Sequence, residues 1–289
     1  MRRISTHIRP YHLPHGGLLA AYLPPNLSCP ITGREWKIQT QDKAGQTSNY
    51  PLGKAGVVGR GAYNGPYAAN THQGVQLTSV NNVNNWIGSP VAGLTVLWYG
   101  TAWATDTTKT RNLITHDDMG AASSQFCLRY ESNQFQFVCN NGGGTYVWED
   151  KAVWGPTGTT YDTVNSLWCV VGVIDKPTAG STIRLYVNGI SRGTSTLSKG
   201  TLFNPSGGAF EPPLVIGDVY QPSGDVNATR PAQGITHLAE VWHRRLGPGE
   251  IAQRAADPFA MYRQQRRTPN RQRAYPSKDI TRGGGKRGG

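Results

Sequence analysis

The sequence predicts an all-β fold, two antiparallel sheets packed as a sandwich with one short C-terminal helix, and three observations carry that prediction. The chain has 36 Gly and 19 Pro among 289 residues, well above the roughly 12% of average usage, so it turns often. Only 16% of residues are charged, which excludes a coiled coil or helical bundle, since those need abundant Ala, Glu, Lys and Leu. Eight Trp, thirteen Tyr and six Phe supply core material and exclude disorder throughout. These aromatics sit with β-branched residues in short runs between turn residues, the pattern of strands.

Taken in order, residues 17–23 (GLLAAYL) read as a first buried strand. Residues 24–61 read as irregular, anchored by Trp36 and Ile38. A short strand is expected at 74–77, and a strong one at 94–100, which is rich in β-branched and aromatic residues. Residues 112–115 form another. Residues 126–130 and 135–139 read as a hairpin around Ser132 and Asn133. A two-residue loop pairs Tyr130 with Phe135, Leu128 with Phe137 and Phe126 with Cys139, and this register puts every aromatic on one face. Cys127 then lies on the other face, opposite Val138, so a Cys127–Cys139 disulfide would need a register slip that exposes the aromatics. With no CxxC or Cys/His cluster at zinc spacing, the four cysteines (Cys29, Cys127, Cys139, Cys169) are expected as thiols of a reducing compartment.

Residues 145–149 alternate as a strand. Residues 167–174 are continuously apolar, which implies cover on both faces. Residues 182–187 and 190–196 flank Asn188-Gly189, the strongest short hairpin signal. Residues 214–217 and 234–242 complete the strands. A short helix follows over 246–256, with Pro248 suited to the first helical position, Glu250 to the first turn, and Pro258 as the stop.

The formal charge of +12 is concentrated at the ends. Arg263, Arg266, Arg267, Arg271, Arg273, Lys278, Arg282, Lys286 and Arg287 face only Asp279, and Arg2, Arg3 and Arg9 lie at the other end, leaving residues 10–262 at +1. The organisation read from this is a basic arm (1–16), a sandwich (17–262) and a basic, Gly-rich arm (263–289). Clustered cations of this kind attract polyanions by counterion release or clamp an acidic protein surface, and a solvated tail is the plain alternative. The first residues have no apolar core of a signal peptide, and no stretch of about 18 apolar residues occurs, so no membrane role is expected.

Several pieces, in order, resemble the laminin-G-like, concanavalin A-like jelly-roll family. They are 185–189 (LYVNG), Ile216-Gly217 and 240–251 (EVWHRRLGPGEI), preceded by 17–22 and 94–98 as counterparts of early family strands. The ordered set covers 17–262. Residues 257–263 (DPFAMYR) are similar to endings common in phage-encoded and bacterial copies. The resemblance implies a jelly-roll sandwich but not one function, because this fold hosts lectins, glycosidases, adhesion modules and virion proteins.

The glycosidases of this fold need a Glu-x-Asp-x-Glu strand, and none occurs. Glu149-Asp150 and Asp117-Asp118 are adjacent pairs, which face opposite ways on a strand, and read as loop or edge charges. No catalytic residues are assigned. His116, Asp117 and Asp118 are a candidate loop site for calcium, which many relatives bind through loop acids, with a polar turn as the alternative; no other cofactor is expected. Trp86, Trp103, Trp148 and Trp154 lie near predicted loops and are candidates for stacking on sugar rings, with core or interface packing as the competing reading. The absent catalytic set and the basic arms point first to a non-enzymatic structural protein of a phage-like virion. There, the arms would contact neighbouring copies or other virion proteins in a capsid, neck or tail. The alternative is a carbohydrate-binding adhesion module for a surface glycan. Nucleic-acid binding by the C-terminal arm is a third reading, weakened by its scarcity of aromatics for base stacking.

Overall fold

Two twisted sheets face each other across an aromatic core. The structure, a computed structural model, describes residues 16–24, 29, 36–41, 54–56, 59–64, 72–77, 93–102, 110–116, 126–139, 150–155, 166–176, 178–198, 214–217 and 234–263. In chain order the strands are β1 (Leu18–Tyr22), β2 (Trp36–Gln41), β3 (Lys54–Gly56), β4 (Gly59–Asn64), β5 (His72–Leu77), β6 (Leu94–Ala102), β7 (Arg111–His116), β8 (Phe126–Glu131), β9 (Gln134–Cys139), β10 (Asp150–Trp154), β11 (Leu167–Ile174), β12 (Thr182–Val187), β13 (Ile190–Thr196), β14 (Leu214–Ile216) and β15 (Gly234–Trp242). Helix α1 (Pro248–Ala256) and a 3-10 turn, Ala260–Tyr262, follow.

One sheet runs β13-β12-β11-β6-β15-β4-β3, and the other β10-β9-β8-β7-β14-β5-β2. All pairings are antiparallel. Strand β15 has one edge on β6 and shares the other between β4, along Gly234–Thr236, and β1, along Ala239–Trp242. The expected all-β jelly-roll sandwich with one short helix is the observed architecture.

The 126–139 hairpin has the predicted register, with Phe126 opposite Cys139, Leu128 opposite Phe137 and Tyr130 opposite Phe135. Its turn places Ser132 and Asn133 at φ of 52° and 65°, and the second hairpin places Asn188 and Gly189 at 51° and 80°. Positive φ at both central residues is the I′ turn, whose twist matches the flanking strands. Phe126, Leu128, Tyr130, Phe135, Phe137 and Cys139 all enter the inter-sheet core. Cys127 is on the opposite face as expected but is buried there too, its Sγ 3.2 Å from Asn112 Oδ1. All four cysteines are buried thiols with no disulfide among them.

Strand β11 is covered on both faces, as its continuous apolar run implies. Val170 and Ile174 point to the inter-sheet core, while Cys169, Val171 and Val173 join a second core with Tyr99, Trp242 and Ile251. Helix α1 and the 3-10 turn seal that second core. Pro248 lies in the first turn of α1, and the Glu250 carboxylate accepts the Gly247 N–H at 2.8 Å. Arg244 grips the same carboxylate with both terminal nitrogens (3.0 and 2.7 Å) and donates to Gly16 O at 2.7 Å, which ties the helix start to the beginning of β1.

Three expectations need correction. Residues 24–61 are not irregular throughout: β2, β3 and the start of β4 lie there, too polar and Gly-rich to show a strand pattern. Trp36 is nevertheless the anchor expected, buried with its indole N–H on Ala21 O at 2.9 Å; the Ile38 side chain lies outside the described residues. His116 belongs to no polar turn, for it ends β7 in the core and stacks on Phe126 with centroids 5.9 Å apart. Asp150, read as a loop or edge charge, does open an edge strand, β10, but is buried, accepting the Ser198 N–H and hydroxyl at 2.7 and 2.9 Å. The strand expected at 145–149 and the loop around Gly142 lie outside the described residues.

Candidate functional site

The two sheets meet at one side through their edge strands, β10 and β13. A side chain at Gly193 would forbid that approach, since a Cβ there would lie 2.4 Å from Val153 O and 2.9 Å from Val153 N. Glycine allows two backbones to touch. Beside it the β12–β13 ladder slips. Tyr186 pairs with Ser191 and Leu185 with Gly193, so Arg192 is an extra residue in a β-bulge. Bulges re-aim a side chain locally, and here the Arg192 guanidinium carbon lies 5.1 Å from the Trp154 ring centroid.

Trp154 is the last residue of β10 and pairs with Phe135 of β9. Its indole is parallel to the Phe135 ring within 2°, at 6.5 Å, and tilted against Trp168 at 6.1 Å. Trp168 in turn lies 5.3 Å from Phe135. Phe135 is fully buried, whereas Trp154 and Trp168 are only partly buried. The inter-sheet core therefore ends at this seam in two indoles that reach solvent. Gly155, at φ 150°, turns the chain away directly after Trp154, and Gln134 donates to its carbonyl at 3.2 Å. The arrangement offers an aromatic surface of mixed polar and apolar character beside a cation, suited to binding a flat amphipathic ligand.

The acidic groups described nearby are already engaged. Asp150 accepts from Ser198, and Glu131 pairs with Arg129 at 2.6 Å and accepts the Thr110 hydroxyl at 2.5 Å. Arg129 also donates twice to Gln136 Oε1, at 3.1 and 3.0 Å. Among the described residues, Arg192 forms no ion pair with a carboxylate.

A second charged constellation is sealed. Arg254 of α1 pairs with Glu240 of β15, and both side chains are within 1% of complete burial. Glu240 also accepts from Tyr262 at 2.6 Å and from Trp242 at 2.9 Å. Burial keeps the Tyr262 hydroxyl protonated and pushes the Cys169 thiol up to about 12, against the opposing pull of Arg254. A group that no ligand reaches is a clamp between helix and sheet, not a binding site.

Of the residues singled out in the sequence, the structure places Trp154 in the seam. Trp86, Trp103, Trp148, Asp117 and Asp118 lie outside the described residues. So do Arg2, Arg3, Arg9, Arg266, Arg267, Arg271, Arg273, Lys278, Arg282, Lys286 and Arg287. Arg263 is described, and it is paired with Asp257 of its own chain. Among the described residues no group of three or more His, Cys, Asp or Glu is placed to hold a metal ion, and no helix is long and apolar enough to cross a membrane. Trp168 and Arg192 were missed. Trp168 is hidden inside an apolar strand, but Gly193 within a Ser/Thr-rich strand is a signal of a bulge or close backbone approach that marks Arg192.

No curated protein sequence matches the chain significantly. Solved structures similar to it include one of botulinum neurotoxin type C, whose cell entry depends on two ganglioside molecules, at a TM-score of 0.55 and 10% identity over 83% of this chain and 51% of that one. The binding domain of botulinum neurotoxin DC in complex with rat synaptotagmin II gives 0.51 and 11% over 83% and 51%. The same domain in complex with SialylT gives 0.51 and 10% over 84% and 52%. The chain spans about half the length of these proteins, and identities this low show a common fold alone. The sequence profile of the concanavalin A-like lectin/glucanases superfamily matches residues 71–252, more than half of the chain, and together with the sandwich topology this makes the protein a member of that family.

Proposed function

We propose that this chain is a non-enzymatic, lectin-like carbohydrate-binding module whose contact surface is the β10–β13 seam, with Trp154 and Trp168 packing against a sugar face. The observation that carries this reading is the pair of partly buried indoles at the open end of the core, held on strands rather than on loops. Rigid elements hold a binding geometry more accurately than loops do. The C–H faces of a pyranose ring pack on an indole, and the sugar hydroxyls remain at its edge for hydrogen bonds. Similar folds occur in proteins characterised with gangliosides and SialylT, which supports a glycan as ligand. The described buried carboxylates Glu240 and Asp150 both hold protein donors, which favours binding over hydrolysis.

This reading takes precedence over the virion-assembly role, which rests on the basic arms. The one basic arm residue among the described residues, Arg263, is paired at the surface with Asp257 of its own chain. The test is a glycan-array screen of the full chain, followed by titration of its tryptophan fluorescence with each hit. Trp154→Ala should weaken binding at least tenfold while leaving the thermal midpoint within a few degrees. Undiminished binding by that variant, or an array without hits, would refute the seam as a glycan site.

A further inference from the structure

The seam holds more than an aromatic surface. Its cation is placed there by two separate departures from a regular sheet. One is the extra residue in β13, which takes Arg192 out of the ladder. The other is Gly193, the residue whose missing side chain lets β10 and β13 abut. A strand kept only for stability needs neither, because an unbroken ladder and a packed side chain both contribute more to it. Arg192 is solvent-exposed although it is held over Trp154. A guanidinium resting on a ring is attracted through the π-system, and among the described residues Arg192 pairs with no acid. Its fork of five donors is therefore available to a planar, two-oxygen anion, the partner whose geometry it matches.

From this, and resting on the lectin-like reading of the same site, we infer that the module selects carboxylated saccharides, with Trp154 and Trp168 packing against the sugar and the Arg192 fork receiving its carboxylate. The described acids near the seam are held by other donors. Asp150 is capped by Ser198, and Glu131 is held by Arg129 and Thr110. Arginine rather than lysine is the fitting residue, since an ammonium neither stacks on the indole as a plane nor offers two parallel donors. A neutral sugar would pack on the rings but leave the cation unanswered.

Matched pairs of probes separate this inference from the reading beneath it. Oligosaccharides ending in glucuronic, galacturonic or sialic acid are compared with their own methyl esters, which keep the ring and remove the charge, in titrations of the full chain. The acids should bind at least tenfold more tightly than the esters, and the difference should shrink in high salt. Arg192→Gln should abolish the difference between acid and ester, and Arg192→Lys should restore only part of it. Far-UV circular dichroism and the thermal midpoint check that both variants fold. Equal binding of acid and ester would overturn the carboxylate selectivity and leave the lectin-like reading standing. Tighter binding of sulfated than of carboxylated counterparts would also overturn it. Failure of every acid and every ester to bind would remove both.

Discussion

Three glycines on β-strands and turns show how single residues shape this molecule, each through a different constraint. Gly189 sits at φ 80° in its I′ turn, and a Cβ there would lie 3.1 Å from Ala255 Cβ and 3.2 Å from Ala252 Cα on the helix. Left-handed backbone costs a non-glycine residue about 1–2 kcal/mol. Gly189→Ala should therefore lose about that much in chemical denaturation, with the loss read as a lower midpoint at unchanged slope. At Gly172 the constraint is the facing sheet: a Cβ would enter the Phe137 ring, 2.3 Å from its nearest atoms. At Gly193 it is the backbone of β10. A methyl at Gly193 must push the seam apart, so Gly193→Ala should weaken glycan binding together with stability, whereas Gly189→Ala, on the opposite side of the bulge, should affect stability alone. Parallel titrations and melts of the two variants distinguish these outcomes.

At the scale of elements, α1 is held by chemistry rather than by length. Its nine residues are too few for a stable isolated helix in water. Its hold on the sheet comes from Ile251 in the second core and from Arg254, whose charge is neutralised by Glu240 under the ring of Tyr262. Removing one partner of a buried ion pair strands the other charge and costs about 3–5 kcal/mol. Arg254→Met should thus destabilise far more than the joint replacement Glu240→Gln/Arg254→Met, which removes both charges. A double-mutant cycle by denaturant unfolding measures this, and additive losses from the two single changes would contradict the coupling.

For the whole molecule, the buried acids that are kept neutral set its response to alkali. Burial pushes Cys169 up to about 12 and raises Cys139, Tyr22 and Tyr262. In the unfolded chain a thiol ionises near pH 9, while in the native protein Cys169 keeps its proton to about pH 12. Between these values the unfolded state has lost a proton that the native state retains, so rising pH favours unfolding. The stability these groups contribute is intact below pH 9 and falls above it, by about 1.4 kcal/mol per pH unit for a fully shifted group. The denaturation midpoint should accordingly drop between pH 8.5 and pH 10.5. A thiol reagent should leave Cys169 unmodified at pH 8 until denaturant is added, because the reactive form is the thiolate. A flat midpoint across that range would contradict the burial of these groups.

Much of this architecture is legible in the order of the residues. The alternation of Phe126, Leu128 and Tyr130 with Phe135, Phe137 and Cys139 specifies the hairpin register, because any slip exposes the aromatics. Asn188-Gly189 specifies the second hairpin, and Pro248 with Glu250 the start of α1, since these are local chemical requirements. The strands β2, β3 and β4 were not legible, because their own composition is polar and Gly-rich: β2 and β4 are made strands by β5 and β15, far along the chain, and β3 by its pairing with β4. Asp150 read as a loop or edge charge and His116 as a loop residue, and their burial became visible only where Ser198, distant in sequence, and Phe126, across the sheet, supplied their partners. The candidate site lies at the same limit. Trp154 announces itself as an aromatic near a turn, but Trp168 and Arg192 join it only where edge strands of two sheets touch. Local patterns encode hydrophobic period and turn geometry, which act within a few residues. The abutment of β10 on β13 depends on how two whole sheets twist and pack, and that distance in sequence is what the folded structure closes.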